Sequence, residues 1–161
     1  MNISNYSLGK WISILYRYGQ INMSEQFQKY NIGNGQHYMF LIPLFHNDSI
    51  TQEQLTLNLN VDKATTARAV KKLEQEGYIT RIIDDSDKRA YRLCLTNKAI
   101  NIRPDIIEIL TNWRSTLTKG FTEEEKTQAL SLLERMSFNA CLAIKGNCEE
   151  LNDSKSSKTN L

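Results

Sequence analysis

The chain has 161 residues, enough for one domain, and 40% of them are apolar, enough for a core. Its formal net charge is only +2, so the overall balance does not mark a nucleic-acid binder and the distribution of charge has to be read instead. No stretch is long and apolar enough to span a membrane, no signal peptide is visible, and three cysteines (Cys94, Cys141, Cys148) at irregular spacing are not a disulfide framework, so a cytoplasmic protein is expected.

Two prolines and few glycines suit a mostly helical chain. Residues 7 to about 30 carry Leu8, Trp11, Ile12, Leu15, Tyr18 and Gly19 on roughly one face, which predicts the first helix. Gly33-Asn34-Gly35 breaks the pattern. A second helix is expected over about 36–45. Its apolar residues (Tyr38, Met39, Phe40, Leu41, Ile42, Leu44, Phe45) lie on most sides, so it should be central, with Pro43 loosening its last turn.

Thr51-Gln52-Glu53-Gln54 has the form of a capping box and opens a short helix ending near residue 58. Leu59-Asn60-Val61 is a tight connection, with Asn60 suited to a left-handed turn. Asp62 is an N-cap for a helix to about residue 75, closed by Gly77. Residues 78–83 are then rich in β-formers, and residues 84–89 make a polar tip. Tyr91, Leu93 and Leu95 alternate on one face of a second strand. Thr96 caps a long helix striped by Ile106, Ile107, Leu110, Trp113 and Leu117, with Pro104 imposing a bend or a late start. Gly120 breaks it. Thr122-Glu123-Glu124-Glu125 is a second capping box, opening a helix to about 144 with Leu130, Leu133, Met136 and Ala140 in its stripe. From residue 146 the chain is polar, which predicts a disordered tail.

Short helix, tight turn, longer helix and β-hairpin make a helix-turn-helix with a wing. In the longer helix Thr66, Ala69, Val70 and Leu73 fall at i, i+3, i+4 and i+7, the spacing of a buried face. The opposite face carries Ala64, Arg68 and Lys71, flanked by Lys63, Thr65 and Lys72. From Lys63 to Lys72 there are four basic residues and no acid. Small residues let a helix enter the major groove closely, arginine pairs with a guanine edge through two hydrogen bonds, and lysines meet phosphates. At the hairpin tip Arg89 is placed to reach a minor groove. Asp87 is better suited to pairing with Arg81 or Arg89 and holding the tip in shape.

These features resemble the MarR family of bacterial transcription regulators. The resemblance is carried by Thr51-Gln52-Glu53-Gln54-Leu55, Lys63-Ala64-Thr65-Thr66-Ala67-Arg68 and Leu73-Glu74-Gln75-Glu76-Gly77-Tyr78-Ile79-Thr80-Arg81. Its most specific piece is the wing signature Asp87-Lys88-Arg89-Ala90, with Leu95-Thr96 after it. It spans about residues 7–145. Thr66 stands where the family often has an apolar residue, Ala67 where it often has a hydroxyl, and Ala99 where glycine is frequent.

The resemblance implies one mainly α winged helix-turn-helix domain over 1–145, with about six helices and a two-stranded wing. Its DNA-binding part covers about 36–96, and its dimerisation helices about 7–30, 97–119 and 123–145. It further implies a homodimer on a pseudo-palindromic duplex, with reading helices roughly 34–36 Å apart. The DNA-contacting set is then Thr51, Gln52, Lys63, Ala64, Thr65, Arg68, Lys71, Lys72, Lys88 and Arg89. Such proteins are most often repressors that answer to small aromatic or anionic ligands, to oxidants or to zinc. By that analogy Tyr16, His37 and Phe40 are candidates to line an effector pocket, the favoured alternative being ordinary core or interface packing. The oxidant route is disfavoured, because no cysteine precedes Cys94. Zinc is disfavoured too, since His37 and His46, nine residues apart, point to opposite sides of one helix. No cofactor is expected. The competing reading is a winged helix used only for protein–protein assembly, which would lack a cationic reader and a wing arginine. An enzyme is excluded by the lack of a nucleophile elbow, a phosphate loop or a metal-spaced cluster.

Overall fold

A computed structural model of the chain describes residues 8–84 and 90–146. In order these form α1 (Leu8–Gln26), two 3-10 segments (Gln28–Tyr30 and Asn34–Phe40), α2 (Leu41–His46), β1 (Ile50–Thr51), α3 (Gln52–Leu59), α4 (Lys63–Gln75), β2 (Ile79–Ile83), β3 (Tyr91–Leu95), α5 (Asn97–Leu117) and α6 (Glu123–Lys145). The fold is the mainly helical winged helix-turn-helix that the sequence predicts. The wing tip, residues 85–89, and the tail from 147 lie outside the described residues, and with them Asp87, Lys88, Arg89 and Cys148.

The caps fall where the side chains require them. Thr51 accepts from the Gln54 amide while the Gln54 side chain accepts from the Thr51 amide, and Thr122 and Glu125 do the same for α6. Asp62 caps α4 through the Thr65 amide, and Thr96 caps α5 through that of Ala99. Asn60 takes the left-handed conformation (φ 51°) between α3 and α4, and Gly77 (φ 73°) ends the turn after α4.

Four expectations are corrected. The first helix stops at Gln26, and its last stretch becomes the 3-10 segment Gln28–Tyr30, because left-handed Asn31 (φ 58°) turns the chain back on itself. The return is tight: a Cβ on Gly33 would lie 2.8 Å from the Ser24 carbonyl oxygen. The second predicted helix divides into the 3-10 segment Asn34–Phe40 and the short α2. Pro43 therefore sits in the first turn of α2, where its missing N–H leaves no bond unmade, rather than loosening a last turn. Pro104 neither delays nor stops α5, which starts at Asn97. Ala99 and Ile106 are both buried on either side of the proline, and that packing holds the helix across the one lost bond. The expected two-stranded hairpin is present, with Ile79 opposite Leu95, and β1 adds a third strand in the order β1-β3-β2, with Ile50 opposite Leu93.

One core holds the winged part together. Phe27 and Tyr38 stack with ring centroids 4.4 Å apart, and around them lie Ile32, Phe40, Leu41, Leu44, Leu55, Val70, Leu73, Tyr78, Leu93 and Ile106. The buried face of α4 is the predicted one, Thr66, Ala69, Val70 and Leu73. Thr66 is fully buried, and its hydroxyl donates to the Asp62 carbonyl (3.2 Å) while accepting from Thr56 (2.9 Å), so the apolar contact of α3 with α4 contains one satisfied polar pair. On β3 only Leu93 of the predicted apolar face is fully buried. Leu95 is half-buried, and Tyr91 is exposed because the hairpin runs past the edge of the core. Cys94 is a half-buried free thiol, and Cys141 is buried and disulfide-bonded.

The dimerisation stripes proposed from sequence are largely uncovered. Trp11, Ile12, Leu15 and Tyr18 on α1, and Leu130 and Leu133 on α6, are exposed; on α1 it is Met23, near the C-terminal end, that is buried.

The close crossing at Gly33 gives a test whose sign is informative. Gly33 has φ −73°, so alanine carries no backbone strain there, and such a change ordinarily stabilises by about 0.4–1 kcal/mol. Here the added methyl meets backbone, so Gly33→Ala should instead lower stability by about 1–3 kcal/mol in thermal or urea unfolding. A stabilised variant would show that the chain does not return this closely along α1.

Candidate nucleic-acid interface

The reading-helix candidate is α4, and its orientation follows from its buried face. With Thr66, Ala69, Val70 and Leu73 inward, Lys63, Ala64, Ala67, Arg68 and Lys71 are exposed, and Thr65 and Lys72 sit at the margins. Support comes from the 3-10 segment behind it, where His37 is half-buried near Lys72. Burial, and then the Lys72 charge, push the His37 imidazole below its ordinary pKa, and its Nδ1 is buried with no hydrogen-bond partner.

The cations of this face differ in how far they are engaged. Lys63 lies 3.7 Å from Glu53 across an exposed gap, a weak pair. Lys72 is held by Glu76 at 2.6 Å, and Glu76 also accepts from Asn31 at 2.6 Å; the Lys72 hydrogen bond, ahead of the other neighbours, holds the Glu76 carboxyl below its ordinary pKa. Arg68 donates to the Thr65 hydroxyl at 3.0 Å. Lys71 has no ion pair among the described residues. Asp62 accepts from both the Thr65 hydroxyl and the Thr65 amide, and these bonds hold its carboxyl below the usual pKa. Thr51 spends its side chain on the α3 cap, with Gln52 half-buried beside it.

At the wing, Arg81 pairs with Glu74 of α4 (3.3 Å), which ties β2 to the reading helix; the expected partner Asp87 lies outside the described residues. A second tie is one that sequence reasoning misses. Buried Asp84 holds the Arg92 Nε at 2.6 Å, and Arg92 also donates to the Ser49 carbonyl at 2.8 Å, joining the base of the wing to β1. Its only signal is an aspartate and an arginine at the two mouths of the hairpin, which sequence spacing alone does not pair.

The proposed pocket residues are spread apart. Tyr16 is exposed on α1, Phe40 belongs to the core, and His37 lies beside α4. A cavity of about 240 Å³ lies instead between α2 and α5, lined by Ile42, Phe45, His46, Arg103, Ile106, Ile107, Leu110, Thr111 and Arg114. The Arg103 guanidinium sits 5.5 Å from the Phe45 ring centroid. A sequence signal for it exists: Arg103, Ile106, Ile107, Leu110 and Arg114 share one side of α5, an apolar stripe with an arginine at each end. Among the described residues no cluster of His, Cys, Asp or Glu could hold a metal, and no helix is long and apolar enough to cross a membrane.

Comparison with known proteins matches this architecture. The MarR family model covers residues 34–91, from the second 3-10 segment to the start of β3. The helix-turn-helix transcriptional regulator YybA of Bacillus subtilis (strain 168) is 33% identical over 114 residues, 71% of this chain and 75% of the relative. Among solved structures, a MarR transcriptional regulator from Methanosarcina mazei Go1 superposes with a TM-score of 0.75 at 39% identity, covering 85% of this chain and 98% of that one. A putative MarR family regulator from Listeria monocytogenes, solved with a 26mer DNA, gives a TM-score of 0.78 at 26% identity, covering 88% and 96%. Family model, sequence relative and solved structures agree, and the chain belongs to the MarR family of winged helix-turn-helix transcriptional regulators.

Proposed function

We infer that the protein acts in the cytoplasm as a homodimer that binds a pseudo-palindromic DNA site, represses transcription there, and is released by a small anionic effector; it carries out no catalysis. The observation that carries the DNA reading is the outer face of α4. Ala64, Ala67, Arg68 and Lys71 are exposed together with no acid among them, and the opposite face is locked into the core. A purely assembling winged helix has no use for such a face, and a relative of the same fold was solved with DNA. In this reading Arg68 faces bases, Lys63, Lys71 and Lys72 lie near phosphates, and Thr51 and Gln52 approach the backbone from the α3 end. Lys88 and Arg89 extend the contact through the wing, an assignment that rests on the sequence resemblance.

Dimerisation is supported by the apolar side chains that α1 and α6 leave in water. Trp11, Ile12, Leu15, Tyr18, Leu130 and Leu133 are more than a monomer of this size leaves exposed without a partner. The effector reading is supported by the cavity between α2 and α5. At about 240 Å³ it is smaller than the roughly 300–1,000 Å³ of drug-sized sites, and its apolar walls with Arg103 and Arg114 suit a compact aromatic carboxylate.

Three measurements test these parts separately. Arg89→Ala should stay folded and dimeric while operator affinity falls roughly tenfold and the salt slope becomes shallower; unchanged affinity and slope would remove the wing from the interface. Wild-type protein should sediment as a dimer at micromolar concentration and Leu15→Glu as a folded monomer; a monomeric wild type would defeat the two-half-site arrangement. Benzoate at about a hundred times its Kd should stabilise the wild type by about 2.7 kcal/mol in thermal unfolding and Arg103→Gln far less; equal shifts in both would place the anion elsewhere.

A further inference from the structure

We propose that Asp62 and Thr65 are positioning residues that aim the Arg68 guanidinium at guanine, so that sequence discrimination by α4 depends on a relay of two hydrogen bonds within its own first turns. The proposal rests on the DNA-binding reading above and assigns Thr65 a task different from touching DNA.

The relay is built from short, directional contacts. The Asp62 Oδ1 accepts from the Thr65 amide at 2.8 Å, the ordinary capping bond, which fixes the carboxylate plane. Its Oδ2 then accepts from the Thr65 hydroxyl at 2.6 Å, a charge-assisted bond that consumes the one proton of that hydroxyl. The Thr65 oxygen can therefore act toward Arg68 only as an acceptor, and the Arg68 Nη2 donates to it at 3.0 Å. A hydroxyl polarised by a carboxylate is a better acceptor than an isolated one.

Contrast with the neighbouring cations shows what this achieves. Lys72 is oriented by an acid that also offsets its charge, and Lys71 keeps its charge with no ion pair among the described residues to orient it. Arg68 is oriented by a neutral oxygen, so it keeps its charge for the groove while losing part of its rotameric freedom before DNA arrives. One N–H of Nη2 is used, and the remaining donors of the planar fork stay free for the N7 and O6 acceptors of guanine. Ala64 and Ala67, exposed beside it, leave room for the bases to approach.

The test uses the full chain and a duplex that it selects from a random-sequence pool. Each guanine is replaced in turn by 7-deazaguanine, which lacks the N7 acceptor. At one guanine per half-site the replacement should weaken wild-type binding about tenfold, and Arg68→Ala should be indifferent to it. Thr65→Val keeps the side-chain shape and the capping bond; it should bind unrelated duplex within about twofold of wild type yet show a guanine penalty of about twofold or less. A merely structural role for Thr65 would weaken selected and unrelated duplexes alike and leave the penalty intact. Asp62→Asn makes the same test through a second residue, since asparagine caps helices equally well but its amide nitrogen donates into the Thr65 oxygen that Arg68 needs. Full penalties in both variants, or no guanine penalty in the wild type, would overturn the relay and leave DNA binding standing. Failure of the wild type to select any duplex would overturn both.

Discussion

The rotational setting of α4 governs everything the surface can do. Successive side chains on a helix differ by about 100°, so the burial of Thr66, Ala69, Val70 and Leu73 fixes the direction of every other residue on it. Rotation by a single residue would bring Ala67, Lys71 and Glu74 toward the core and expel Thr66, Ala69 and Leu73. The lost burial of a Val or Leu side chain costs about 1.5–3 kcal/mol, and a lysine taken out of water without a partner adds several more. The Thr56–Thr66 hydroxyl pair sharpens this setting, because two satisfied hydroxyls in an otherwise apolar contact are satisfied in one register only.

That constraint explains why the DNA-facing helix is the most legible part of the sequence. Its buried positions repeat at helical spacing, and its two ends are marked by Asp62 and Gly77, whose chemistry acts over three or four residues. The capping boxes at Thr51 and Thr122 and the left-handed turn at Asn60 are local in the same sense. What escapes the sequence is set by contacts between distant segments. β1 is only two residues long and exists because Ile50 and Thr51 lie beside Leu93 and Arg92, so no periodicity announces it. The change from α to 3-10 geometry around residue 28 follows from packing Gly33 against Ser24, and Arg81 pairs with Glu74, seven residues back and in a different element. The cavity between α2 and α5 escapes for a related reason, because it is defined by where two distant segments meet.

Helices α1, α5 and α6 divide their apolar residues between two tasks. Ala99 and Ile106 of α5 close the winged core, as do Met23 of α1 and Phe27 just beyond it, while most of the remaining apolar positions of α1 and α6 face water. In the proposed dimer that second set is what a partner covers, and the two reading helices are then held at a spacing set by helices that themselves touch no DNA. In that reading the same sequence specifies a core through residues packed within one chain and the proposed assembly through residues left over from it. The surplus is legible in the amino-acid pattern itself, as stripes too extensive for one small domain to bury.

Helix α5 also connects the cavity to the reading helix by direct contacts. It carries Arg103, Ile106 and Leu110 on the cavity wall, Lys98 donates at 2.6 Å to the Glu76 carbonyl at the C-terminal end of α4, and Asp105 accepts from Tyr30. Tyr78, which follows α4, donates to the Tyr30 carbonyl at 2.9 Å, and the Lys98 ammonium lies 4.3 Å from its ring centroid, so the end of α4, the turn after α1 and the start of α5 form one bonded unit. A ligand changes DNA affinity only to the extent that it binds the DNA-competent and released arrangements with different free energies. With the cavity on one face of α5 and the α4 contacts at its beginning, the proposed effector response would work through a shift of α5 against α2. Because Lys98 and Glu76 are joined, such a shift cannot occur without either breaking that bond or carrying the C-terminal end of α4 with it.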